Sequence, residues 1–440
     1  MSHPEKTPVV RIAPSPTGNL HIGTARAALF NFLYSKKHGG KFILRIEDTD
    51  KERNKPEYEK NITDGLSWLG ISWDEFYRQS ERVEIYRSHL KKLIENGKAY
   101  ISKETPLKEG WREEVIRFKN TNVKIKFDDV IRGEVEFDTT ELGDFVIARS
   151  LDEPLYHLAV AIDDFEMGVT HVIRGEDHIS NTPRQILIAE ALGAARPIYA
   201  HIPLILAPDR SKLSKRHGAV ALTEYRDRGY LPEAMLNYLA LLGWNPGGEE
   251  ELFTISQLIE LFDLGRVQKG GAVFNIDKLN WFNREYIKQS PEIVKKEIMK
   301  ITSTDISTAE KFLPPVLERI STLGNIKNLF NGGELDFLNE PKCPKEKLPW
   351  KGETSNTAGK NLEKIKALFE SLDEKRFTIE NIKAVTMPFA ESAGRGSVLW
   401  PLRYALTGKE KSPDPFSVAY ILGKNESLAR IGRAIKTLNA

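Results

Sequence analysis

The stretch VVRIAPSPTGNLHIGTARAALFNFLY, residues 9–34, decides the fold of this 440-residue chain. VVRIA begins with β-branched residues typical of a buried strand, and the turn formers PSPTGN follow it. LHIGTARAALFNFLY has the composition and spacing of a helix, which Gly39-Gly40 ends, and KFILRIE is a second strand. Strand, loop, helix and strand predict a right-handed βαβ unit in a parallel sheet.

The loop after the first strand predicts a phosphate site. Such sheets bind ligands at the carboxyl ends of their strands, and His21, Gly23 and Thr24 lie where the helix begins. Unpaired N–H groups and the helix dipole attract phosphate there. Gly23 permits close approach, and the ring of His21 can donate a hydrogen bond. A turn-rich loop with a packed histidine is the alternative, which this short motif alone does not exclude.

Composition sets the limits of the interpretation. The chain is 40% hydrophobic and 29% charged, with a net charge of +2, so a nucleic-acid partner has to be argued from local patches. Its one cysteine, Cys343, excludes an internal disulfide and a thiolate zinc cage. The N-terminus lacks an apolar leader and no run reaches membrane-spanning length, so we expect a cytoplasmic protein with no membrane partner.

The second strand ends in the acidic segment RIEDTD, residues 45–50. Acidic side chains at the mouth of a sheet can bind an amino group, a ribose or a metal. Alternatively, Asp48, Thr49 and Asp50 cap the next helix.

From Ala99 the pattern changes to short β segments with charged interruptions, namely VIRFK, VKIKF, VIRGEVEF and DFVIARS. This predicts an inserted, mostly antiparallel module of roughly 60 residues. THVIRGED at 170–177 and IYAHIPLIL at 198–206 then resume the parallel sheet, with the helix TPRQILIAEALG between them.

A basic loop, APDRSKLSKRHG at 207–218, follows the last sheet strand. Lys212, Ser214, Lys215 and Arg216 could meet a polyphosphate there. A solvated basic loop is the alternative.

The remainder of the chain is helical in pattern, with KLPWKGETSNTAGKN at 347–361 its most loop-like stretch. In the terminal helix one face is apolar, formed by Leu428, Ile431, Ile435 and Leu438. A solvated basic face is expected outside it, formed by Arg430, Arg433 and Lys436.

The two loops are more specific together than apart. In a doubly wound sheet both can converge on one crevice. That arrangement suits attack on the α-phosphate of ATP with pyrophosphate leaving, where the protein positions the reactants and stabilises charge. A substrate carboxylate can attack directly, so no nucleophilic side chain is required.

At this point the chain resembles a class I aminoacyl-tRNA synthetase of the bacterial glutamyl-tRNA synthetase type. The resemblance rests, in order, on RIAPSPTGNLHIGTARAALFN, FILRIEDTD, THVIRGEDHISNTPRQ, KLSKRHGAV, GYLPEAMLNYLALLGW, FNIDKLNWFNREYI and PLRYALTG. It covers nearly the whole chain and is thinnest between residues 291 and 390.

The resemblance implies roles for individual residues. Catalytic roles fall to His21, Gly23, Lys212, Lys215 and Arg216. ATP contacts fall to Pro14, Gly18, His21, Gly23, Thr24, Ser214 and Lys215. Glutamate contacts fall to Arg11, Ala13, Ser15, Glu47, Tyr156 and Arg174. An arginine can take a carboxylate bidentately and Glu47 can pair with an ammonium group. Glu176 and Asp177 match the pocket region without a firm role.

The resemblance also implies the architecture: an α/β, Rossmann-like parallel-sheet catalytic domain with an inserted β-rich acceptor-binding module, followed by an all-helical anticodon-binding part. The expected boundaries are 1–98 and 158–217 for the catalytic halves, 99–157 for the insertion, 218–290 for a stem-contact domain and 291–440 for the anticodon domain. Expected partners are tRNA(Glu), glutamate and ATP with Mg²⁺. The protein itself is expected to be a monomer. Arg319 falls where an arginine can accompany rejection of tRNA(Gln).

The insertion departs from the family pattern. Many relatives begin a zinc knuckle with Cys-x-Cys, where this chain has AYISK at 99–103. We therefore expect no zinc and no other protein-bound metal. ETPLKEGWREEVIRFK replaces a longer helical segment, so acceptor-stem contacts are not transferred from the family.

Rival interpretations differ in their C-terminal halves or their chemistry. A glutamyl-queuosine tRNA(Asp) synthetase would lack an anticodon domain, and a glutaminyl-tRNA synthetase would carry β-barrels there. A non-discriminating enzyme would charge tRNA(Gln) as well. A small-molecule nucleotidyltransferase would not need the two additional domains, and a non-catalytic tRNA-binding paralogue would not need intact His21, Lys212, Lys215 and Arg216.

Overall fold

The computed structural model describes residues 7–50, 52–104, 113–214, 216, 218–331 and 333–440. Its chain divides into a first unit, Met1–Asp227 with Leu231–Phe282, and a second unit, Arg228–Tyr230 with Asn283–Ala440. The strands are β1 (Val9–Ile12), β2 (Lys41–Ile46), β3 (Glu75–Arg78), β4 (Ala99–Lys103), β5 (Glu114–Phe118), β6 (Lys124–Asp129), β7 (Gly133–Asp138), β8 (Phe145–Ser150), β9 (Glu153–Pro154), β10 (His171–Gly175), β11 (Ile198–Ile202), β12 (Ile205–Leu206) and β13 (Ala272–Val273).

The helices before the end of the first unit are α1 (Ile22–Lys37), α2 (Pro56–Trp68), α3 (Val83–Glu95), α4 (Tyr156–Glu166), α5 (Thr182–Ala191), α6 (Leu222–Asp227), α7 (Pro232–Leu241) and α8 (Ile255–Leu261). The remaining helices are α9 (Ile276–Gln289), α10 (Pro291–Thr302), α11 (Ile306–Leu317), α12 (Gly324–Phe330), α13 (Ser355–Glu370), α14 (Ile379–Ala393), α15 (Arg395–Thr407), α16 (Pro415–Leu422) and α17 (Lys424–Asn439).

The predicted βαβ unit is present. β1 pairs with β2 in parallel, with Val9 opposite Lys41, and α1 connects them. β2 pairs in turn with β3, which the sequence analysis did not predict because EFYR is half-buried throughout and lacks alternation.

After the insertion a second sheet, of strand order β10–β11–β6–β7, follows the three-stranded sheet β1–β2–β3. β10 and β11 are parallel neighbours in it. β10 also lies beside β1, where the Thr170 N–H donates to the Val9 carbonyl at 2.9 Å. The carboxyl ends of β1, β2, β10 and β11 therefore face the same edge.

Helices cover both faces of this sheet. α1 is buried on almost every side because it packs between the sheet and α7 and α8, which explains its lack of a polar face. On the other face, α3, α4 and α5 share an apolar core with β10, β11 and the inserted strands. The predicted α/β class with a parallel sheet is confirmed.

The inserted segment is not one antiparallel module. β4, β5, β8 and β9 form an antiparallel sheet, but the hairpin of β6 and β7 leaves it. β6 instead pairs in parallel with β11 in the sheet that contains β10, with Asp129 opposite Tyr199. The reason is a long-range contact, because the Asp129 carboxylate accepts hydrogen bonds from His201 in β11.

The alternative that Asp48, Thr49 and Asp50 cap the next helix is wrong. α2 begins at Pro56, its N-cap is Lys55, and no side chain caps it. The Asp48 carboxylate accepts from the N–H and hydroxyl of Ser80 instead, at 2.8 and 2.6 Å.

The second unit is helical throughout its named elements, as predicted. Two expectations within it are wrong. The loop-like stretch 347–361 is loop only to Thr354, which caps α13 by accepting from the Thr357 N–H. Arg430 is not on a solvated face: it is buried in α17 and donates to the carbonyls of Phe337 and Leu406, each at 2.7 Å.

None of the helices in the described part of the chain is both long and apolar enough to cross a membrane.

Candidate active site

A ring nitrogen of His21 caps the N-terminus of α1. The Gly23 N–H donates to Nδ1 of His21 at 3.0 Å. Because Nδ1 accepts, the proton of the neutral ring lies on Nε2, which can donate to a ligand. Burial, followed by the charge of Lys212, lowers the pKa of His21, so the ring is neutral near pH 7. A Cβ at position 23 would lie 3.2 Å from Nδ1, so glycine keeps the cap unstrained.

Two segments far apart in the sequence meet beside this helix terminus. The Ile22 N–H donates to the Val220 carbonyl at 2.9 Å, and the Leu222 N–H donates to the Leu20 carbonyl at 2.8 Å. The residues that follow the basic loop are thus attached by backbone hydrogen bonds to the start of α1. The convergence of the two sequence motifs is observed.

The basic loop is held more loosely. Lys212 Nζ lies 3.2 Å from Asp177 Oδ2, and both side chains are largely exposed. Ser214 is half-buried and Arg216 is exposed. Lys215, the predicted phosphate contact, lies outside the described residues.

A cleft of about 460 Å³ opens at the carboxyl ends of β1 and β10, beside this loop. Predicted residues that line it are Arg11, Ala13, Pro14, Ser15, His21, Gly23, Thr24, Glu47, Tyr156, Arg174 and Lys212. Among the residues the structure describes, the predicted Gly18, Ser214 and Arg216 are not part of this lining. The amino-acid and phosphate residues of the prediction therefore share one cavity.

One end of the cleft rests on a buried network of charges. Asp164 accepts from Nε and Nη2 of Arg11, each at 3.2 Å, and from Nη1 of Arg45 at 2.7 Å. Burial raises the pKa of Asp164, but the two guanidinium groups outweigh it and lower the pKa to about 2. Asp163, fully buried, lies 3.7 Å from Nε of Arg45. The buried charges are paired, as burial requires.

Glu47 is the exception within this network. Its Oε1 lies 3.3 Å from Nη2 of Arg45. The same guanidinium group also faces Asp163 and Asp164 through its other two nitrogens. Burial therefore dominates and raises the pKa of Glu47 to about 7. A cation placed beside Glu47 would supply the missing partner, so the carboxyl is suited to bind an ammonium group.

Arg174 is buried at the end of β10 and held on three sides. Its Nε donates to Nε2 of His201 at 3.1 Å, its Nη1 to Oε1 of Gln185 at 2.7 Å, and its Nη2 to Oγ1 of Thr182 at 2.8 Å. Its guanidinium orientation is thus fixed before any ligand binds.

Tyr156, the first residue of α4, lies 3.0 Å from Nδ1 of His178 through its hydroxyl. Burial raises the pKa of Tyr156, so the phenol remains protonated. Burial and then Arg174 lower the pKa of His178 to about 4, so this ring is neutral.

Sequence reasoning missed the residues that hold the arginines, namely Asp164, Gln185 and His201. A signal existed for two of them. Asp163 and Asp164 interrupt an otherwise apolar helix, and His201 stands inside an apolar strand. Polar residues in such positions have partners, but the sequence does not say which.

Comparison with known proteins places this site in a family. The sequence model described as "tRNA synthetases class I (E and Q), catalytic domain" matches residues 8–114 and 106–281. The chain is 43% identical to the glutamate–tRNA ligase of Carboxydothermus hydrogenoformans, with 96% of this chain and 98% of the relative covered. The chain belongs to the glutamate–tRNA ligase family. The resemblance stated from the motifs is confirmed.

Other members of the glutamate–tRNA ligase family agree over similar lengths. The enzyme of Thermodesulfovibrio yellowstonii is 42% identical over 97% of this chain and 99% of its own. The crystal structure of a glutamate tRNA ligase from Elizabethkingia meningosepticum in complex with its amino acid superposes with a TM-score of 0.87 at 33% identity. It covers 98% of this chain and 100% of the other.

The C-terminal half also matches the glutamate–tRNA ligase family pattern. An "Anticodon binding domain" model matches residues 276–435. Within this region Arg319 donates to Glu334 at 2.8 Å and lies 3.2 Å from Glu318. Its part in tRNA discrimination stays a prediction.

Proposed function

We propose that this chain is a glutamate–tRNA ligase, which converts glutamate and ATP to glutamyl-adenylate and pyrophosphate and then transfers glutamate to the 3′ end of tRNA(Glu). The observation that carries the proposal is the placement of buried Arg11, Arg174 and Glu47 in one cleft with the N-terminus of α1. Two arginines and one carboxyl, whose guanidinium partner Arg45 is shared with two aspartates, are complementary to an amino acid with two carboxylates and one ammonium group.

Glutamate binding follows from this complementarity. Arg11 and Arg174 take the substrate carboxylates, and Glu47 takes the ammonium group. Tyr156, Ala13 and Ser15 complete the lining of this end of the cleft. Because the arginines are already oriented by protein partners, little ordering is required when glutamate enters.

Activation joins the α-carboxylate of glutamate to the α-phosphorus of ATP. A carboxylate oxygen attacks phosphorus, the bond to the bridging oxygen breaks, and pyrophosphate leaves with its electron pair. His21 Nε2, the N–H group of Thr24, and the cations Lys212, Lys215 and Arg216 stabilise the charge on the phosphate oxygens, while Gly23, whose N–H is taken by Nδ1 of His21, permits close approach. Pro14, Gly18 and Ser214 belong to the same ATP-contacting loops.

Mg²⁺ accompanies ATP as part of the nucleotide substrate. No group of three or more His, Cys, Asp or Glu side chains in the described part of the chain could hold an ion. The Mg²⁺ ion would screen the phosphate charge, and the protein groups named above bind what remains. Zinc content stays a prediction, and elemental analysis that found one zinc per purified chain would contradict it.

Transfer then requires tRNA. A hydroxyl of the terminal ribose attacks the activated carbonyl carbon, and AMP leaves. We assign residues 1–98 and 158–217 to catalysis, 99–157 to the acceptor end, 218–290 to the stem and 291–440 to the anticodon. We further propose that the protein is cytoplasmic and monomeric. Light scattering of the purified protein tests the oligomeric state.

Aminoacylation with labelled glutamate, ATP and separately purified tRNAs for glutamate, glutamine and aspartate tests the function. Charging of tRNA(Glu) supports the proposal, and its absence contradicts it. Charging of tRNA(Gln) as well would identify a non-discriminating enzyme and remove the suggested role of Arg319. Transfer to tRNA(Asp) alone would favour the glutamyl-queuosine reaction.

A further inference from the structure

The inserted hairpin reaches the base of the glutamate pocket. Asp129 ends β6, opposite Tyr199 of the catalytic strand β11. Its side chain and that of His201 are completely buried, and Oδ2 of Asp129 lies 2.6 Å from Nδ1 of His201. His201 in turn contacts Arg174. A carboxylate from the insertion is thus two contacts away from Arg174.

Asp129 is surrounded by hydrogen-bond donors. Oδ1 accepts from the N–H groups of Ile131 and Arg132, at 3.0 and 2.9 Å. Oδ2 accepts from the N–H of His201 at 3.0 Å and faces its ring. All of these donors have a partner only if both side-chain atoms at position 129 accept hydrogen bonds, as the two oxygens of a carboxylate do.

The protonation of His201 follows from Asp129, which faces Nδ1, and from Arg174, which faces Nε2 together with the hydroxyl of Thr182 at 3.2 Å. Arg174 Nε carries a proton and can only donate, so Nε2 of His201 must be the acceptor. The ring proton therefore lies on Nδ1, where Asp129 accepts it. Burial lowers the pKa of His201 in spite of Asp129, which keeps the ring neutral and able to accept from Arg174.

We propose that Asp129 is a positioning residue for glutamate activation, because it fixes the Nδ1-protonated form of His201 that holds Arg174. The proposal rests on the proposed function, in which Arg174 binds a glutamate carboxylate. Arg174 has five N–H donors. His201, Gln185 and Thr182 take three of them, and the His178 carbonyl accepts a fourth from Nη2 at 3.4 Å. The guanidinium is thereby held at one angle, while one N–H group on Nη1 remains for the substrate.

Asp129→Asn tests the proton position. If the amide oxygen keeps the Ile131 and Arg132 bonds, the amide NH₂ faces His201 and forces Nδ1 to accept. The ring proton then moves to Nε2 and opposes the Arg174 donor. We expect the KM for glutamate to rise about 10-fold, since a hydrogen bond to a charged group is lost. The KM for ATP should change less than about 2-fold, because Arg174 lies at the amino-acid end.

His201→Gln and His201→Asn are the matched pair. Glutamine places an acceptor near the position of Nε2, so the glutamate KM should rise less than about 3-fold. Asparagine reaches only the position of Nδ1 and leaves Arg174 Nε unpaired, so the KM should rise about 10-fold, as in Asp129→Asn. This pair leaves Asp129 and its turn intact, so equal effects of the two variants would overturn the acceptor role of His201, on which the proposal depends, even if Asp129→Asn does not fold.

The double variant Asp129→Asn with His201→Gln separates positioning from a structural role. Without an imidazole there is no tautomer to set, so the double variant should match His201→Gln in glutamate KM. An equal effect of Asp129→Asn in both backgrounds, or an equal rise in ATP and glutamate KM, would overturn the proposal. Assays use the full chain with tRNA(Glu), and thermal unfolding is measured for each variant. An inactive wild-type chain would refute the proposed function instead.

Discussion

The two ends of the cleft hold their charges in opposite ways. At the glutamate end, Arg11, Arg174 and Glu47 are each at least nine-tenths buried and each is hydrogen-bonded to a protein side chain. At the phosphate end, the side chain of Lys212 is 62% exposed and Arg216 is exposed. The first end is preorganised, whereas the second is solvated.

This difference corresponds to what each end must recognise. A small amino acid is distinguished by the placement of its charges, and fixed, buried partners provide that discrimination. A triphosphate carries several equivalent oxygens, which mobile cations can follow as charge moves to the leaving pyrophosphate. Exposed cations contribute little to stability, and buried ones cannot be removed without damage.

Removal of Arg45 should have the largest effect. Arg45→Met retains volume but leaves Asp163, Asp164 and Glu47 without their shared cation, so we expect a loss of about 3–5 kcal/mol in the free energy of unfolding. Urea denaturation measures it. The control Lys60→Met removes an exposed partner of Asp64 and should change stability by about 0.5 kcal/mol at most. Equal effects of the two variants would mean that burial of the charges at the glutamate end does not make them more important for stability than an exposed pair.

Lys212→Ala tests the phosphate end. We expect the rate of glutamate activation to fall about 100-fold, because one cation that stabilises the transition state is lost. Pyrophosphate exchange in the presence of tRNA(Glu) measures the rate, and the glutamate KM should stay within about 2-fold. Lys36→Ala, which removes a half-buried partner of Asp74 near the other end of α1, is the control. A change in glutamate KM alone would place Lys212 at the wrong end.

The pH dependence of glutamate binding tests Glu47. Burial raises its pKa to about 7, so the carboxyl is mostly protonated at pH 6 and mostly ionised at pH 8. Since the ammonium group needs the ionised form, glutamate KM should fall up to about 10-fold as pH rises from about 6 to 8. Glu47→Gln should weaken binding and flatten this profile, whereas Glu57→Gln, at an exposed position of α2, should not. A flat wild-type profile would mean that another group neutralises Glu47.

Gly23→Ala should have the smallest effect. The added Cβ lies 3.2 Å from Nδ1 of His21, so the ring must shift by a few tenths of an ångström. We expect the KM for ATP to rise about 3-fold, with glutamate KM unchanged. Gly432→Ala is the control, since its Cβ would meet nothing within 4 Å in α17 and should stabilise the helix by about 0.5–1 kcal/mol. An unchanged KM for ATP would mean that the position of the His21 ring does not affect ATP binding.

Local patterns were enough to predict the parts of the fold whose contacts are near in sequence. β1, α1 and β2 lie where residues 9–47 predicted them, because periodicity and the terminal glycines are local signals. β3 was missed because its half-buried residues show no period. The hairpin of β6 and β7 was placed in the wrong sheet because its partner, His201, lies 72 residues after Asp129.

The candidate site also contains residues that the sequence could predict and residues that it could not. The cleft residues were predicted through family motifs, and the structure brings most of them together. The residues that orient them, Asp164, Gln185 and His201, have no motif of their own and are defined only by tertiary contacts. Arg430 shows the same limit in the second unit, since periodicity cannot indicate that carbonyl groups far along the chain will accept from it.

The neighbouring strands β1 and β10 impose an order of events during synthesis. The N–H of Val9 donates to Oγ1 of Thr170, 161 residues later, so the edge of β1 opposite β2 lacks its partner while the insertion is translated. At an elongation rate of about 5–20 residues per second this delay is about 8–30 s. Until Asp164 emerges, Arg11 and Arg45 lack their shared carboxylate. Limited proteolysis of ribosome-bound chains stalled before and after Gly175 should show protection of β1 only in the longer chain.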